Sequence, residues 1–151
     1  MSVLNDRSAF RNAILGGVPV SKAVTLSAAT LPAFTVAGGE VLITGLWLKV
    51  TTSITTDTGT VAVNNVPTAG NTMVVVTATD LGSTDTVAGS VVGLDRGTTA
   101  ASKFLVGGRV DLNAIVTTGV VNVVGASSVN GAATIYVTWV PLTDGATLTA
   151  A

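Results

Sequence analysis

The sequence predicts an all-β domain, and two observations on composition and spacing support that fold class. Valine and threonine supply 26 and 25 of the 151 residues, and their β-branched side chains fit a pleated strand better than a helix. Short apolar segments are separated by clusters of glycine, asparagine and aspartate, which is typical of strands joined by turns. We therefore expect one antiparallel, jelly-roll-like β-sandwich with a short N-terminal arm or helix.

The first 22 residues differ from the rest of the chain. Residues 5–15 have the spacing of one short amphipathic helix, because Phe10 and Ile14 fall on the same side of it. We predict an N-terminal arm over residues 1–22 and a β-sandwich domain over residues 23–151. A helix this short must pack on the domain, a neighbouring subunit or another partner. The candidate partner-binding residues are Arg7, Phe10, Arg11 and Ile14, with a solvated basic end as the alternative.

Turn residues divide the β domain into eight or nine predicted strands. The tail over residues 143–151 ends in small polar residues, so we expect it to be mobile or to lie against a neighbouring subunit. The predicted strands are 23–36 (interrupted at Pro32), 40–52, 59–63, 72–79, 86–93, 103–106, 110–117, 119–124 and 132–140.

The predicted strand at 40–52 is apolar on both faces, whereas a strand with one solvated face should alternate. One face must enter the core, and the other requires cover from the arm, a loop or a neighbouring subunit. We also expect the two tryptophans to meet in the core, because aromatic side chains dominate core packing. The candidates for oligomer contact or core packing are Leu42, Leu46, Trp47, Leu48, Tyr136 and Trp139.

Charged side chains are sparse, with 7 basic and 8 acidic residues and a net charge of −1. A chain of this size should expose roughly 7,000 Å², and soluble surfaces usually carry more charge than this. We expect other protein chains to cover much of the surface, with a monomer solubilised by uncharged polar groups as the alternative. The low basic charge argues against nucleic acid, and polar interruptions in the uncharged residues 112–143 argue against a membrane span.

The residues for common catalysis are missing from the sequence. Without histidine or cysteine, the Ser-His-Asp and Cys-His sites and the usual zinc, copper and haem sites are excluded. Glu40 is the single glutamate, and the aspartates fall mostly at turns, including the weak calcium candidate at residues 80–85. Arg96, Lys103 and Arg109 form either a solvated rim or a contact with an acidic partner. We predict no enzyme, no metal and no cofactor.

Several segments resemble small virion proteins of tailed bacteriophages over most of residues 33–146. The shared features are a glycine pair before an apolar strand ending in V-T-T, a middle strand with threonine and aspartate, and an aromatic strand closed by proline-leucine. The segments that carry the resemblance are 38-GGEVLITGLWLKVTTSI-54, 72-TMVVVTATDLGS-83, 87-VAGSVVGL-94 and 131-GAATIYVTWVPLTDGA-146.

The resemblance implies a structural role in the virion. Proteins of this kind are capsid decoration, or cement, proteins on the shell exterior and are often trimers, whereas others belong to tails or fibres. The expected partners are therefore the major capsid protein and further copies of the chain, with neither nucleic acid nor a membrane. The expected location is the capsid surface, after assembly in the host cytoplasm. The alternative is a tail, fibre or carbohydrate-binding module that engages the host surface.

Overall fold

The computed structural model describes residues 16–55, 59–95 and 102–151, which form one eleven-stranded sheet. The predicted all-β fold class is confirmed. Within these ranges no helix is formed, and so none that is long and apolar enough to cross a membrane. The strands are β1 (Val18–Thr25), β2 (Thr30–Ala37), β3 (Val41–Thr52), β4 (Thr60–Pro67), β5 (Met73–Asp80), β6 (Val91–Asp95), β7 (Ser102–Val106), β8 (Asp111–Val116), β9 (Gly119–Ala126), β10 (Ala132–Pro141) and β11 (Thr147–Ala150).

The sheet curls until its two edge strands approach each other. Its order is β1-β10-β3-β6-β7-β5-β4-β9-β2-β11, and every pairing is antiparallel except the one between β5 and β7. On the side of β3 away from β10, two strands pair with it in succession. β8 pairs with its first half and β6 with residues nearer its end. At the seam, the Lys22 ammonium of β1 donates a hydrogen bond to the carbonyl of Ala151, which follows β11. The result is a barrel-like β-sandwich around a single core.

The core consists of inward side chains from almost every strand. Each fully buried aliphatic side chain stabilises the fold by about 1.5–3 kcal/mol. Because valine and isoleucine fill a pleated surface with few rotamers, the same composition that predicts strands also fills the core. The bulkiest fully buried residues are Phe34, Ile43, Leu46, Leu48, Ile54, Leu94 and Ile135.

The first predicted strand, 23–36, is two strands, and the interruption predicted at Pro32 is wrong. The chain turns between β1 and β2, and Pro32 lies inside β2 at a register shift. Proline is tolerated at a β-bulge because no regular ladder bond is lost there. β1 begins at Val18 and thus takes in residues 18–22, which were assigned to the arm. The predicted helix at 5–15 lies outside the described residues.

The tail also differs from its prediction. Residues 147–150 form β11, which pairs with β2, so this part of the tail is a regular strand of the sheet in its own chain. Leu148 is buried opposite Val36, while the threonines on either side of it are exposed. One inward leucine in an alternating segment is enough to anchor a short strand on the core.

Candidate functional site

A β-bulge in β3 explains why this strand is apolar on both faces. Gly45 lies opposite Thr138 and Ile43 lies opposite Trp139, so Thr44 is an extra residue with no counterpart on β10. An extra residue moves the following side chains to the other face of the sheet. Odd-numbered residues enter the core before the bulge and even-numbered residues enter it afterwards. The core-facing side chains of β3 are Val41, Ile43, Leu46, Leu48 and Val50.

The opposite side of this part of the sheet forms what we call the aromatic face. It comprises the outward residues of β1, β10, β3 and β8, arranged in three parallel rows by the strand register. Across one end runs an aliphatic row, in which Val140, Leu42 and Ile115 are cross-strand neighbours. The outward residues include Pro19, Ser21, Ala23, Leu42, Thr44, Gly45, Trp47, Lys49, Asp111, Asn113, Ile115, Thr134, Tyr136, Thr138 and Val140.

The aromatic row contains the pair that gives the face its name. Trp47 and Tyr136 are direct cross-strand neighbours, and their rings stack with centroids 5.3 Å apart and planes 3° from parallel. Such a pair contributes about 0.5–1.5 kcal/mol beyond the burial of its area. Both side chains are half-buried, so the pair combines local order with accessible apolar surface.

The two tryptophans do not meet in the core, and that expectation is wrong. Trp139 and Tyr136 are three residues apart in β10, so they point to opposite faces of the sheet, and Tyr136 shares its face with Trp47. Trp139 is 8% exposed, and no hydrogen-bond partner of its indole Nε1 lies among the described residues. The bulge places the two indoles on different sides.

A central row of small residues separates the aliphatic row from the aromatic row. Thr44 Oγ1 donates a hydrogen bond to Thr138 Oγ1 over 2.9 Å. A Cβ on Gly45 would lie 2.7 Å from Thr138 Oγ1 and 3.1 Å from the carbonyl oxygen of Val110, so no side chain fits there without displacing one of them. The two apolar rows therefore stand on either side of a shallow polar strip.

Two exposed charges of opposite sign lie beyond the apolar rows. Lys49 is opposite Thr134, four residues from Thr138 along β10. Glu40 is beside Leu142, four residues from Thr138 in the other direction, because the Leu142 N–H donates to the Glu40 carbonyl over 3.0 Å. Each charge therefore lies about 13 Å from the central row at 3.3 Å per residue.

The predicted site residues separate into three groups. Leu46, Leu48 and Trp139 lie in the core, whereas Leu42, Trp47 and Tyr136 lie on the aromatic face. The arm candidates Arg7, Phe10, Arg11 and Ile14 fall outside the described residues. Sequence reasoning missed Ile115 and Val140, because only the pairing of β3 with β8 and β10 makes them neighbours of Leu42.

The remaining polar residues give weaker candidates. Asp80 accepts a hydrogen bond from the Gly82 N–H over 2.8 Å, which confirms its predicted turn role. In the described part of the chain, no three acidic side chains converge on a metal position. An open groove of about 460 Å³ lies beside Asp95, Gly108 and Arg109. Lys103 is opposite Asp95 in the pairing of β6 with β7. The basic side chains of Lys103 and Arg109 therefore lie near an acidic one and do not form a purely basic patch.

No family model, curated protein or solved structure matches this chain. The geometry alone therefore defines a class: a barrel-like β-sandwich with an aromatic outer face around β3. That face is the candidate functional site.

Proposed function

We propose that this chain is a structural protein of a bacteriophage virion, a non-catalytic capsid decoration protein. In this role it self-associates, binds the outer surface of the shell and stabilises it, after assembly in the host cytoplasm. The observation that carries the proposal is the aromatic face, on which the aliphatic row and the Trp47–Tyr136 stack lie side by side on the outside of the sheet. Apolar side chains that stay accessible on the outside of a sheet, here in two rows divided by a polar strip, mark contact with other molecules.

The sparse charge of the whole surface supports the same role. Fifteen charged side chains on 7769 Å² leave about one charge per 520 Å². Soluble monomers usually depend on many interspersed charges to prevent association. A protein that works inside a permanent assembly has no such requirement, because neighbours cover its surface.

The N-terminal arm is the proposed contact with the major capsid protein. Gly17 packs against the backbone of Trp139 so closely that a Cβ would lie 2.5 Å from the Trp139 carbonyl oxygen. The residues before it therefore start from a fixed point on β10. Arg7 and Arg11 supply positive charge for docking, and Phe10 and Ile14 supply apolar anchors.

Decoration stabilises a shell by mass action. A ligand that binds only the assembled lattice stabilises it by RT ln(1 + [L]/Kd), which is about 2.7 kcal/mol per site at a concentration of 100 Kd. Subunits that also bind each other attach to the lattice at several points, so the stabilisation per site is summed over many sites.

Deletion of residues 2–15 tests the arm. This truncation removes Arg7, Phe10, Arg11 and Ile14 but keeps Gly17 on Trp139, so the domain should fold and self-associate as before. We expect binding to undecorated shells of the phage that encodes the chain to weaken roughly a hundredfold or more. Cosedimentation with the shells measures this, and immunogold electron microscopy shows whether the full chain labels shell faces.

A matched charge change serves as the control. The pair Arg7→Glu and Arg11→Glu should weaken shell binding, whereas Lys103→Glu with Arg109→Glu changes the net charge equally on the domain and should leave it intact. Undiminished decoration by the truncated chain would remove the arm assignment. Gold label confined to tails would contradict the capsid role.

The second candidate function is a tail, fibre or carbohydrate-binding module, and the half-exposed Trp47–Tyr136 stack favours it. Aromatic faces near polar groups suit sugar rings, and jelly-roll lectins use this architecture. Titration with glycans from the host surface should then shift the tryptophan emission, and Trp47→Phe should abolish the shift while the buried Trp139 stays in place. An emission spectrum that no glycan changes would contradict this candidate.

A further inference from the structure

We propose that the aromatic face is the contact between two copies of this chain, related by a two-fold axis along the central row. The inference rests on the self-association in the proposed function. It specifies which surface of the chain forms the contact and which symmetry relates the two copies. The proposed oligomer is then a dimer instead of the expected trimer. The two sheets would stack face to face about 10 Å apart, in the aligned manner of sheets in a β-sandwich.

The rows of the aromatic face are self-complementary under this rotation. A two-fold axis that runs across the strands reverses the strand direction and leaves the order of the strands unchanged. Val140 and Tyr136 each lie two residues from Thr138, on opposite sides of it. The rotation therefore places Tyr136 and Trp47 of one copy on Val140 and Leu42 of the other, while the small central rows meet on the axis and β8 lies at the edge of the contact.

The charges outside the apolar rows are complementary under the same rotation. Lys49 and Glu40 lie at equal distances on opposite sides of the central row, so Lys49 of one copy approaches Glu40 of the other, twice in each dimer. Within one copy the two side chains are about 26 Å apart along the strand, which is too far for a direct contact. Asp111, opposite Gly45, lies in the central row at the edge of the face, so the rotation brings the Asp111 side chains of the two copies near each other and weakens the contact there.

The area is sufficient for a stable dimer. Ten paired residues of β10 and β3 extend roughly 33 Å, while β1 and the six-residue β8 border only parts of this length. The face therefore covers on the order of 500 Å² per copy, or about 1,000 Å² in total, which is near the minimum for a biological interface. The stacked aromatic pair at its middle is the kind of anchor that dominates binding energy.

The mass of the protein in solution, with no shells present, tests the contact. At about 10 µM, native mass spectrometry and sedimentation should show two chains of 14.9 kDa. Ile115→Lys, at a residue that is 53% exposed in the aliphatic row, should yield monomers. Val74→Lys is the matched control, since Val74 is 58% exposed on β5, away from the face, and should leave the dimer intact.

Charge reversal tests the symmetry. Lys49→Glu alone and Glu40→Lys alone should each raise the dimer Kd roughly tenfold, because each creates two like-charge contacts. An equimolar mixture of the two variants should restore wild-type affinity as a heterodimer, and the double variant should restore it as a homodimer. Only contacts between copies produce this rescue.

The outcomes separate this inference from the proposed function. A wild-type monomer would overturn the inference. A trimer, or a dimer that is unaffected by Ile115→Lys, would also overturn it. A dimer that obeys the charge-reversal pattern but binds no shell would support the inference while contradicting the capsid role.

Discussion

β3 and β9 both run through the sheet with partners on each side, and both fill the same core, but their outer faces differ. Around β3 the outward residues form the aromatic face. Around β9 the outward residues of β11, β2, β9 and β4 form what we call the threonine–asparagine face, where Asn122 donates a side-chain hydrogen bond to Asn64 over 3.4 Å. Other members are Thr30, Pro32, Thr35, Ala37, Thr60, Ala62, Val66, Val120, Val124, Thr147 and Thr149.

The comparison shows how one sheet can have a self-sufficient side and an incomplete one. The threonines and asparagines of the second face bond to water or to each other, although Val66 is 41% exposed there. The aliphatic row and the Trp47–Tyr136 stack leave apolar surface that is favourable to bury. Since the core is common to both halves, the difference does not serve the fold of the single chain. It supports the proposed self-association.

Deletion of Thr44 should have the largest effect, because it removes the bulge that separates the inner from the outer residues of β3. One half of the strand must then turn over, so that Leu46, Leu48 and Val50 leave the core or Val41 and Ile43 do. Losing two or three buried aliphatic side chains costs more than about 4 kcal/mol, a large fraction of the stability of a typical domain. Circular dichroism with urea titration should show no cooperative unfolding.

The control for this deletion is removal of Ala69 from the exposed loop between β4 and β5. It shortens the chain equally and should change the free energy of unfolding by less than about 1 kcal/mol. If the chain without Thr44 unfolds at the same urea concentration as the wild type, the bulge does not determine the two faces.

A smaller effect is expected from substitutions of two adjacent asparagines on opposite faces of β4. Asn65 is 2% exposed, and its side chain bonds to the Thr117 N–H at 3.2 Å and to the carbonyls of Thr117 and Val120 at 3.4 and 3.5 Å. Asn65→Ala leaves these buried groups unsatisfied and should cost about 2–3 kcal/mol. Asn64→Ala loses one outward amide bond and should cost less than about 1 kcal/mol.

Chemical denaturation of both variants measures the difference. Equal losses of stability would show that the threonine–asparagine face depends on its amide pair as strongly as the core depends on Asn65. The contrast between a self-sufficient outer face and a structural interior would then fail.

The fold class could be predicted because its signals are local. Valine and threonine content and the turn clusters indicate strands wherever those strands pair, and β3 and β10 lie within one residue of their predicted limits. Leu148 between two threonines was also a local signal for β11, although small polar neighbours concealed it.

The site could be predicted only in part, because its geometry depends on pairing between distant segments. Thr44 has no property that marks it as an extra residue, and it becomes one only where β10 skips it. Without that knowledge, alternation in β3 places Leu42 on the same face as Leu46 and Ile43 on the same face as Trp47, whereas the bulge separates each pair. The same limit conceals Ile115, whose place beside Leu42 is set by β8.

The long-range pairing of the edge strands has a consequence for synthesis. Val18 lies opposite Trp139, and Ala37 lies opposite Thr147. Both edges of the sheet can therefore pair only after the C-terminal strands have been synthesised. Sheets of such high contact order fold in roughly milliseconds to seconds once complete. On the ribosome, the stretch from Thr52 to Ala132 takes on the order of ten seconds to emerge, and during that time β3 is exposed without β10. β3, at the centre of the aromatic face, is therefore also exposed to premature association with other chains during synthesis.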